Sequence, residues 1–469
     1  MSCNAGAPAA TEGSEAAAGV AERIRIRMYR LGVGDCFLVT IPGAGGAPYR
    51  MLIDCGVHSA QTGGSERIKV VAEDLVRESG GRVDVVVGTH EHWDHISGFG
   101  QAQEVFAGRL EAAAAWLAWT EDDADPLAQA IAVKKKRYRS LAALQAAAGR
   151  IALSSGGAEA AALEGLLGFY GEGGGVKLKA CGDAMLALAG GRRRFLKPGE
   201  APIEIGEGEA RIFVLGPPRD ETLIRKDAPS RKESEVYEFG RHAALAADLE
   251  AALQPANMPF DRRYSIPLPA SKGLAFFSDR YWSEYGTASA EDEETSQGWR
   301  RVDDSWLDSA NVLALNLDAD TNNTSLVLAI ELGGKEEGGP VVLFAADAQV
   351  GNWLGWERVS WDYGGRRITA QDLLRRTVVY KVGHHASHNA TLREKGLELM
   401  ENLELALVPT DDETAKKVKW GTLPWPPLLA ALAEKARKGV VRTDRENGAR
   451  AGKLQVVKDE LFYEVVLHA

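Results

Sequence analysis

Cysteine is scarce: four residues (Cys3, Cys36, Cys55 and Cys181) in a chain of 469, with no CxxC spacing. That excludes a disulfide framework and argues against a cysteine-bound zinc. Long apolar runs are missing as well. No stretch approaches the ~18 uninterrupted apolar residues of a membrane helix, so an integral membrane protein is not expected. Positive charge is in deficit, with 55 Lys plus Arg against 66 Asp plus Glu and a formal net charge of −11. Coating nucleic acid takes concentrated Lys and Arg, so that class is disfavoured, while a local basic groove stays open. Residues 1–21 have neither the basic nor the apolar region of a secretory signal and read as a flexible tail. The expected setting is reduced and cytoplasmic.

Histidine is what the sequence has in a telling distribution. Of nine, His90, His92 and His95 fall together, as do His384, His385 and His388, while His58, His242 and His468 stand alone.

Alternation of period two predicts a half-buried strand over Arg23–Tyr29. Strands Asp35–Ile41 and Tyr49–Asp54 follow, separated by a Gly/Pro-rich turn. Helical spacing covers Ser65–Ser79, and the apolar strand Val83–Val87 runs straight into Thr89-His90-Glu91-His92-Trp93-Asp94-His95. Weaker patterns give a strand at Glu111–Trp119, a helix at Pro126–Arg150, a loop with a short helix within 154–175, and a strand at Ala210–Leu215. Residues 219–311 mix Pro, aromatic and acidic residues and read as an insertion. Strands resume at Ser325–Leu332 and Val341–Ala346. A helix at Ala370–Arg376 and strand Val378–Val382 lead into Gly383-His384-His385. Strand Leu403–Val408, helix Pro427–Arg437 and strands Val440–Arg442, Lys453–Val457 and Leu461–Val466 complete an α/β pattern.

HxHxDH at the end of a strand is a strong metal signal, because imidazole and carboxylate are ligands suited to zinc or iron. His90 and His92, two apart, can grip one ion from the same side. Asp94 and His95 can turn toward a second. Burying three His and an Asp without such a partner would be costly. Asp347 ends the apolar strand VVLFAA, where a carboxylate can bridge two ions, and His384 ends the next one. Two adjacent cations lower the pKa of a shared water and stabilise charge developing on the attacked group, which suits a phosphodiester best.

The segments LIDCG (52–56), THEHWDH (89–95), ADAQVG (346–351) and the closing histidine motif resemble the metallo-β-lactamase fold hydrolases. The nearest likeness is to the soluble metallo-β-lactamase-like domain of the DNA-uptake competence (ComEC-type) proteins. That group carries GDxxL near its start, an Asn-Ser strand (here Asn323-Thr324-Ser325-Leu326), GD and HHGS, and an ending like Val440–Asp444. The resemblance implies an αββα sandwich over 22–469, with long insertions at about 101–209 and 219–321. It implies two divalent ions, zinc as first choice and manganese or iron as alternatives. His90 and His92 would hold the first ion, Asp94 and His95 the second; Asp347 would bridge them. His384, or His385 in its place, would complete the second site, and Asp54 would orient a ligand or metal-bound water. The implied activity is a nuclease or phosphodiesterase using a metal-bridging hydroxide, on nucleic acid or a small phosphodiester. A lactone, thioester or amide hydrolase is the enzyme alternative, and a metal-binding effector module the non-enzyme one.

GD has become Ala346-Asp347 and HHGS has become His384-His385-Ala386-Ser387, keeping the ligands and changing small neighbours. Between the HxHxDH loop and Asp347 the only histidine is His242, in what reads as an ordinary amphipathic helix. The catalytic candidates are Asp94, His385 and His388, the last as a general acid or a surface residue. Lys381, able to meet an anionic substrate, reads first as a solvated or packed lysine; Trp353, Trp356 and Trp361, able to stack on substrate, read first as core or interface residues; and KKKRYR (134–139), able to contact phosphates, reads first as a solvated run.

Overall fold

The alternation in ERIRIRMY does what its period demands. In a computed structural model, β1 (Glu22–Tyr29) turns Ile24, Ile26 and Met28 into an apolar layer. The structure describes residues 22–138 (except 44), 175–226, 270, 273–277, 320–333, 338–417 and 423–468 (except 449 and 451). The expected tail 1–21, His242 and the segment 154–174 lie outside the described residues, as do nearly all of 227–319 and the side chains of the 134–139 run.

The further strands are β2 (Cys36–Ile41), β3 (Tyr49–Cys55), β4 (Arg82–Gly88), β5 (Glu111–Ala118), β6 (Arg193–Leu196), β7 (Ile203–Ile205) and β8 (Ala210–Gly216). After them come β9 (Val327–Leu332), β10 (Val341–Phe344), β11 (Ser360–Tyr363), β12 (Arg366–Thr369) and β13 (Thr377–Lys381). The last are β14 (Leu405–Val408), β15 (Val440–Arg442), β16 (Leu454–Lys458) and β17 (Phe462–His468). One sheet runs β16-β17-β1-β2-β3-β4-β5-β6 and a second β15-β14-β13-β10-β9-β8-β7, with β11 and β12 forming a separate hairpin.

Three apolar layers make this an αββα sandwich. Between the sheets pack Ile26, Phe37, Ile53, Val85, Leu328, Phe344 and Leu407. Outside the first sheet, helices Gly64–Ser79, Trp93–Gln101 and Gly175–Leu188 cover Leu52, Val86 and Ala115. Outside the second, helices Val350–Trp356, Ala370–Arg375 and Pro426–Lys435 cover Phe213, Leu343 and Tyr380. Trp353, Trp356 and Trp361 are core residues of that layer. No described helix is long and apolar enough to cross a membrane.

Several boundaries differ from the sequence reading. Strand Val341–Ala346 stops at Phe344, because Ala346 turns into the left-handed region (φ 48°). The helix expected over Pro126–Arg150 is described over Pro126–Tyr138. Within 101–209, β5 and β6 continue the first sheet in parallel beside β4, and helix Gly175–Leu188 lies on the same face as helix Trp93–Gln101. Neither β6 nor β7 was legible, since RRFL and IEI are too short to show a period.

The first helix is tied to the first sheet by ions. Arg27, 7% exposed, meets Asp74 at 2.9 Å, Glu78 at 3.1 Å and Glu464 at 2.7 Å, and lies over the Phe462 ring. The Tyr29 hydroxyl donates to the same Asp74 oxygen at 2.8 Å. Removing one partner of a buried pair strands the other charge. Arg27→Ala is therefore expected to cost about 3–5 kcal/mol in urea unfolding. A loss below about 1 kcal/mol would show that Asp74 is satisfied without it.

Candidate metal centre

The parallel strands β3 and β4 of one sheet and β10 and β13 of the other end on the same side of the sandwich, and the chemistry-bearing loops follow those ends. From β4 come Thr89 to His95, the last three residues opening helix Trp93–Gln101. Asp347 follows β10, and His384 and His385 follow β13. Asp35 precedes β2, and Asp54 lies near the end of β3.

Four of these side chains converge. One donor atom each from Asp94, His95, Asp347 and His385 lie within 4.8 Å of one another, and all four residues are buried. His385 Nε2 is 2.9 Å from Asp94 Oδ2 and 3.5 Å from Asp347 Oδ2. His95 Nε2 is 3.1 Å from Asp347 Oδ2 and 3.8 Å from Asp94 Oδ2. Each imidazole is fixed from behind. His385 Nδ1 lies 2.8 Å from the Pro409 carbonyl, which can only accept, so Nδ1 carries the proton and Nε2 faces the cluster. His95 Nδ1 donates to Asp54 Oδ2 at 2.8 Å. Asp54 is itself fixed by the Thr89 amide (2.8 Å) and hydroxyl (2.7 Å).

His90 and His92 stand beside the cluster: His90 Nε2 is 3.1 Å from His92 Nδ1, and the His90 ring centroid is 4.2 Å from that of His95. Burial holds His92 neutral, its pKa pushed down to about 3, so the ring keeps a lone pair.

His384 goes elsewhere. It is half-buried; its Nδ1 meets Ser387 Oγ (2.8 Å) and Gln349 Nε2 (3.0 Å), and its Nε2 meets Asn322 Nδ2 (3.2 Å). Of the two adjacent histidines, His385 is the one whose ring enters the four-donor group, while His384 lines its rim. His388 is exposed against Trp425 and is not brought into the cluster.

Sequence reasoning passed over Asp35 and read Lys381 first as a solvated or packed residue. Asp35 and Lys381 are buried and form an ion pair; Lys381 Nζ also reaches the Ala346 carbonyl (2.8 Å) and Asp347 Oδ1 (3.5 Å). Burial works against the lysine's charge, but Asp35 and Asp347 outweigh it and raise its pKa. The GD of Gly34-Asp35 was the available signal, and it was read only as a mark of likeness.

The donor set fits a divalent cation. Asp94 Oδ1, Asp347 Oδ2 and His95 Nε2 are buried and find no hydrogen-bond partner among the described residues, which is costly unless a cation uses them. Imidazole with carboxylate is the ligand chemistry of zinc, iron and manganese. The backbone is bent to reach this arrangement. Asp54, Ala346, His384, His385 and Ala386 all take positive φ, from 39° to 63°, as strained residues do around functional centres. A Cβ on Gly56 would lie 2.3 Å from the Asp94 carbonyl carbon and the His95 nitrogen, so only glycine lets the two loops touch. Left-handed backbone costs an L-residue about 1–2 kcal/mol. Ala346→Gly and Ala386→Gly should therefore each stabilise by about 0.5–1 kcal/mol in urea unfolding. Destabilisation by either would mean that the alanine methyl does more in packing than its backbone costs.

No curated protein matches the chain. The family model of the metallo-beta-lactamase superfamily matches residues 29–220, a span that takes in Asp35, Asp54 and the HxHxDH loop and stops short of Asp347 and His385. The αββα layers and the buried His/Asp cluster agree with that match: residues 29–220 are similar to the metallo-beta-lactamase superfamily, a likeness that implies a metallohydrolase.

Proposed function

We propose that the protein is a binuclear, divalent-metal-dependent hydrolase that cleaves a phosphodiester, of nuclease or phosphodiesterase type. The observation that carries this is the meeting of Asp94 and His95 from one sheet with Asp347 and His385 from the other, with His90 and His92 alongside. Asp94, His95, Asp347 and His385 would hold one ion, and His90 and His92 would supply its neighbour, with zinc as the first choice and manganese or iron as alternatives. Divalent ions there supply Lewis acidity and a more acidic water.

The chain's own residues do the rest. Asp54 keeps His95 in the tautomer that presents Nε2 inward, and the Pro409 carbonyl does the same for His385. Lys381 holds one oxygen of Asp347, leaving the other to the cluster. Asn322, Gln349, His384 and Ser387 form a polar rim of neutral donors, suited to the non-bridging oxygens of a phosphodiester. The likeness to the competence-protein domain supports nucleic acid or a small phosphodiester as substrate. Cys36, Cys55 and Cys181, all buried thiols, support a reduced cytoplasmic setting.

A substrate panel tests the reading. Bis-p-nitrophenyl phosphate and single-stranded DNA are expected to be hydrolysed at least 100-fold faster than a lactone, with activity lost to a chelator and restored by metal. A lactone preferred over both phosphodiesters would overturn it, leaving the same centre to acyl chemistry.

A further inference from the structure

The two carboxylates of the four-donor group, Asp94 and Asp347, follow strands of different sheets, and one residue reaches both. Asp35 stands just before β2. Its amide donates to the Asp94 carbonyl at 3.0 Å, and its own carbonyl accepts from the Gly56 amide at 3.0 Å. Its backbone is thereby fixed to the loop that carries Asp94 and His95. Its carboxylate pairs with the ammonium of Lys381, the last residue of β13. Both neighbouring imidazoles are further away, His95 Nδ1 at 3.8 Å and His385 Nδ1 at 3.9 Å, and each donates elsewhere, to Asp54 and to the Pro409 carbonyl. Asp35 Oδ1 finds no hydrogen-bond partner among the described residues, so the lysine is what this carboxylate holds there.

Lys381 passes that hold on. Its Nζ donates to the Ala346 carbonyl at 2.8 Å and lies 3.5 Å from Asp347 Oδ1. The same carbonyl accepts from the His384 amide at 3.1 Å. Ala346 is the left-handed residue (φ 48°) that turns the chain after β10 and so directs Asp347. An ammonium bonded to the peptide before Asp347, and close to one of its oxygens, fixes that carboxylate with Oδ2 toward His95 (3.1 Å) and His385 (3.5 Å). Asp35 and Lys381 are 2% and 1% exposed. A pair so deeply buried is an unreliable source of stability, because desolvating both charges offsets their attraction. What it does supply is position: without Asp35 the ammonium is free to turn fully onto Asp347 and compete with a cation for it.

We propose that Asp35 is a positioning residue of the metal centre, setting the Asp347 carboxylate through Lys381 so that ligands from the two sheets are presented together. The inference rests on the metal-binding reading above and not on the choice of substrate.

Zinc affinity of the full chain, measured by competition with a chromophoric chelator, tests it in Asp35→Asn, Lys381→Met and the double variant. Each single change should weaken binding about 10–100-fold. The double variant should be no worse than the weaker single, because either change undoes the same hold on Asp347. Cobalt(II) in place of zinc should show an altered visible absorption in all three, which a pair serving stability alone would not produce. Thermal unfolding in chelator reports the fold separately. A lowered Tm with less than about a tenfold loss of zinc affinity would make the pair purely structural and overturn the proposal. Losses that multiply in the double variant, or an unchanged cobalt spectrum, would overturn it as well. The double variant strands neither charge, so if a single variant does not fold, the double decides by the same tenfold criterion. Failure of all three to fold would assign the pair to stability and overturn the proposal. An unaltered chain that takes up neither zinc nor manganese would overturn the metal centre itself, and this inference with it.

Discussion

Asparagine or alanine at Asp94 or Asp347 is expected to lower hydrolysis at least 1,000-fold and to remove at least one metal ion per chain. Both carboxylates are wholly buried and each faces two imidazoles, so neither can be replaced by a neighbour or by solvent. Losing one removes a charged donor whose contribution to charge stabilisation is several kcal/mol, which is three or more powers of ten in rate. Asparagine keeps the volume, so Asp347→Asn tests charge rather than packing. The loss should be far larger than for Asp54→Asn, which acts only through His95 and should cost about 10–100-fold. Elemental analysis and turnover on a chelated, reloaded sample measure both quantities. Full activity with full metal in either Asp94 or Asp347 variant would remove these residues from the centre.

The second large effect is a reversal of the pH dependence of stability on metal loading. Burial opposes charge on His95, but Asp347, Asp94, Asp54 and Asp35 around it prevail and raise its pKa well above the usual value. His385 is raised likewise, against burial, by Asp347 and Asp94. A histidine whose folded pKa lies above its unfolded value, about 6.5, stabilises fully below the unfolded value and loses that contribution as pH rises through the folded one. Asp94 and Asp347 have the opposite sense. Burial pushes their pKa up but the facing histidines pull it lower, so their contribution is present above about pH 4 and lost on acidification. Chelated protein should therefore be most stable between about pH 4 and 6.5 and weaken toward pH 9. Loading displaces the imidazolium protons, so metal affinity should rise with pH, by up to 100-fold per unit while both protons must leave. Loaded protein should then lose stability on acidification instead. Thermal unfolding across pH with and without metal checks both arms; parallel profiles would show that the histidines are not charged in the metal-free fold.

Most of this centre was legible because its residues sit next to one another. THEHWDH packs four donors into seven positions after an apolar strand, and Asp347 and the histidine pair each end another such strand. What adjacency could not decide was His384 against His385. The choice is made by three consecutive left-handed residues, 384–386, which aim one ring at Asp94 and the other at Gln349 and Asn322. Asp35 and Lys381 stayed hidden for another reason. Their meaning lies in a contact between residues more than 300 positions apart, and the GD of Gly34-Asp35 marks the aspartate without naming its partner. The sandwich itself was readable from alternation and continuous apolar runs, since β1, β4, β9 and β10 are long or apolar enough to show their period. The short edges β6 and β7 were not, because pairing with a neighbour, rather than their own sequence, makes them strands.

The first sheet also has a consequence for synthesis. β1 takes β2 on one side and β17 on the other, Glu22 opposite His468. A ribosome delivers the first of these partners within seconds and the second only after some four hundred further residues, at about 5–20 residues per second. Until then β1 presents an open edge, and open edges recruit foreign strands. The nascent chain therefore carries an aggregation hazard at its first described strand, and a stop codon anywhere before β17 would make that exposure permanent.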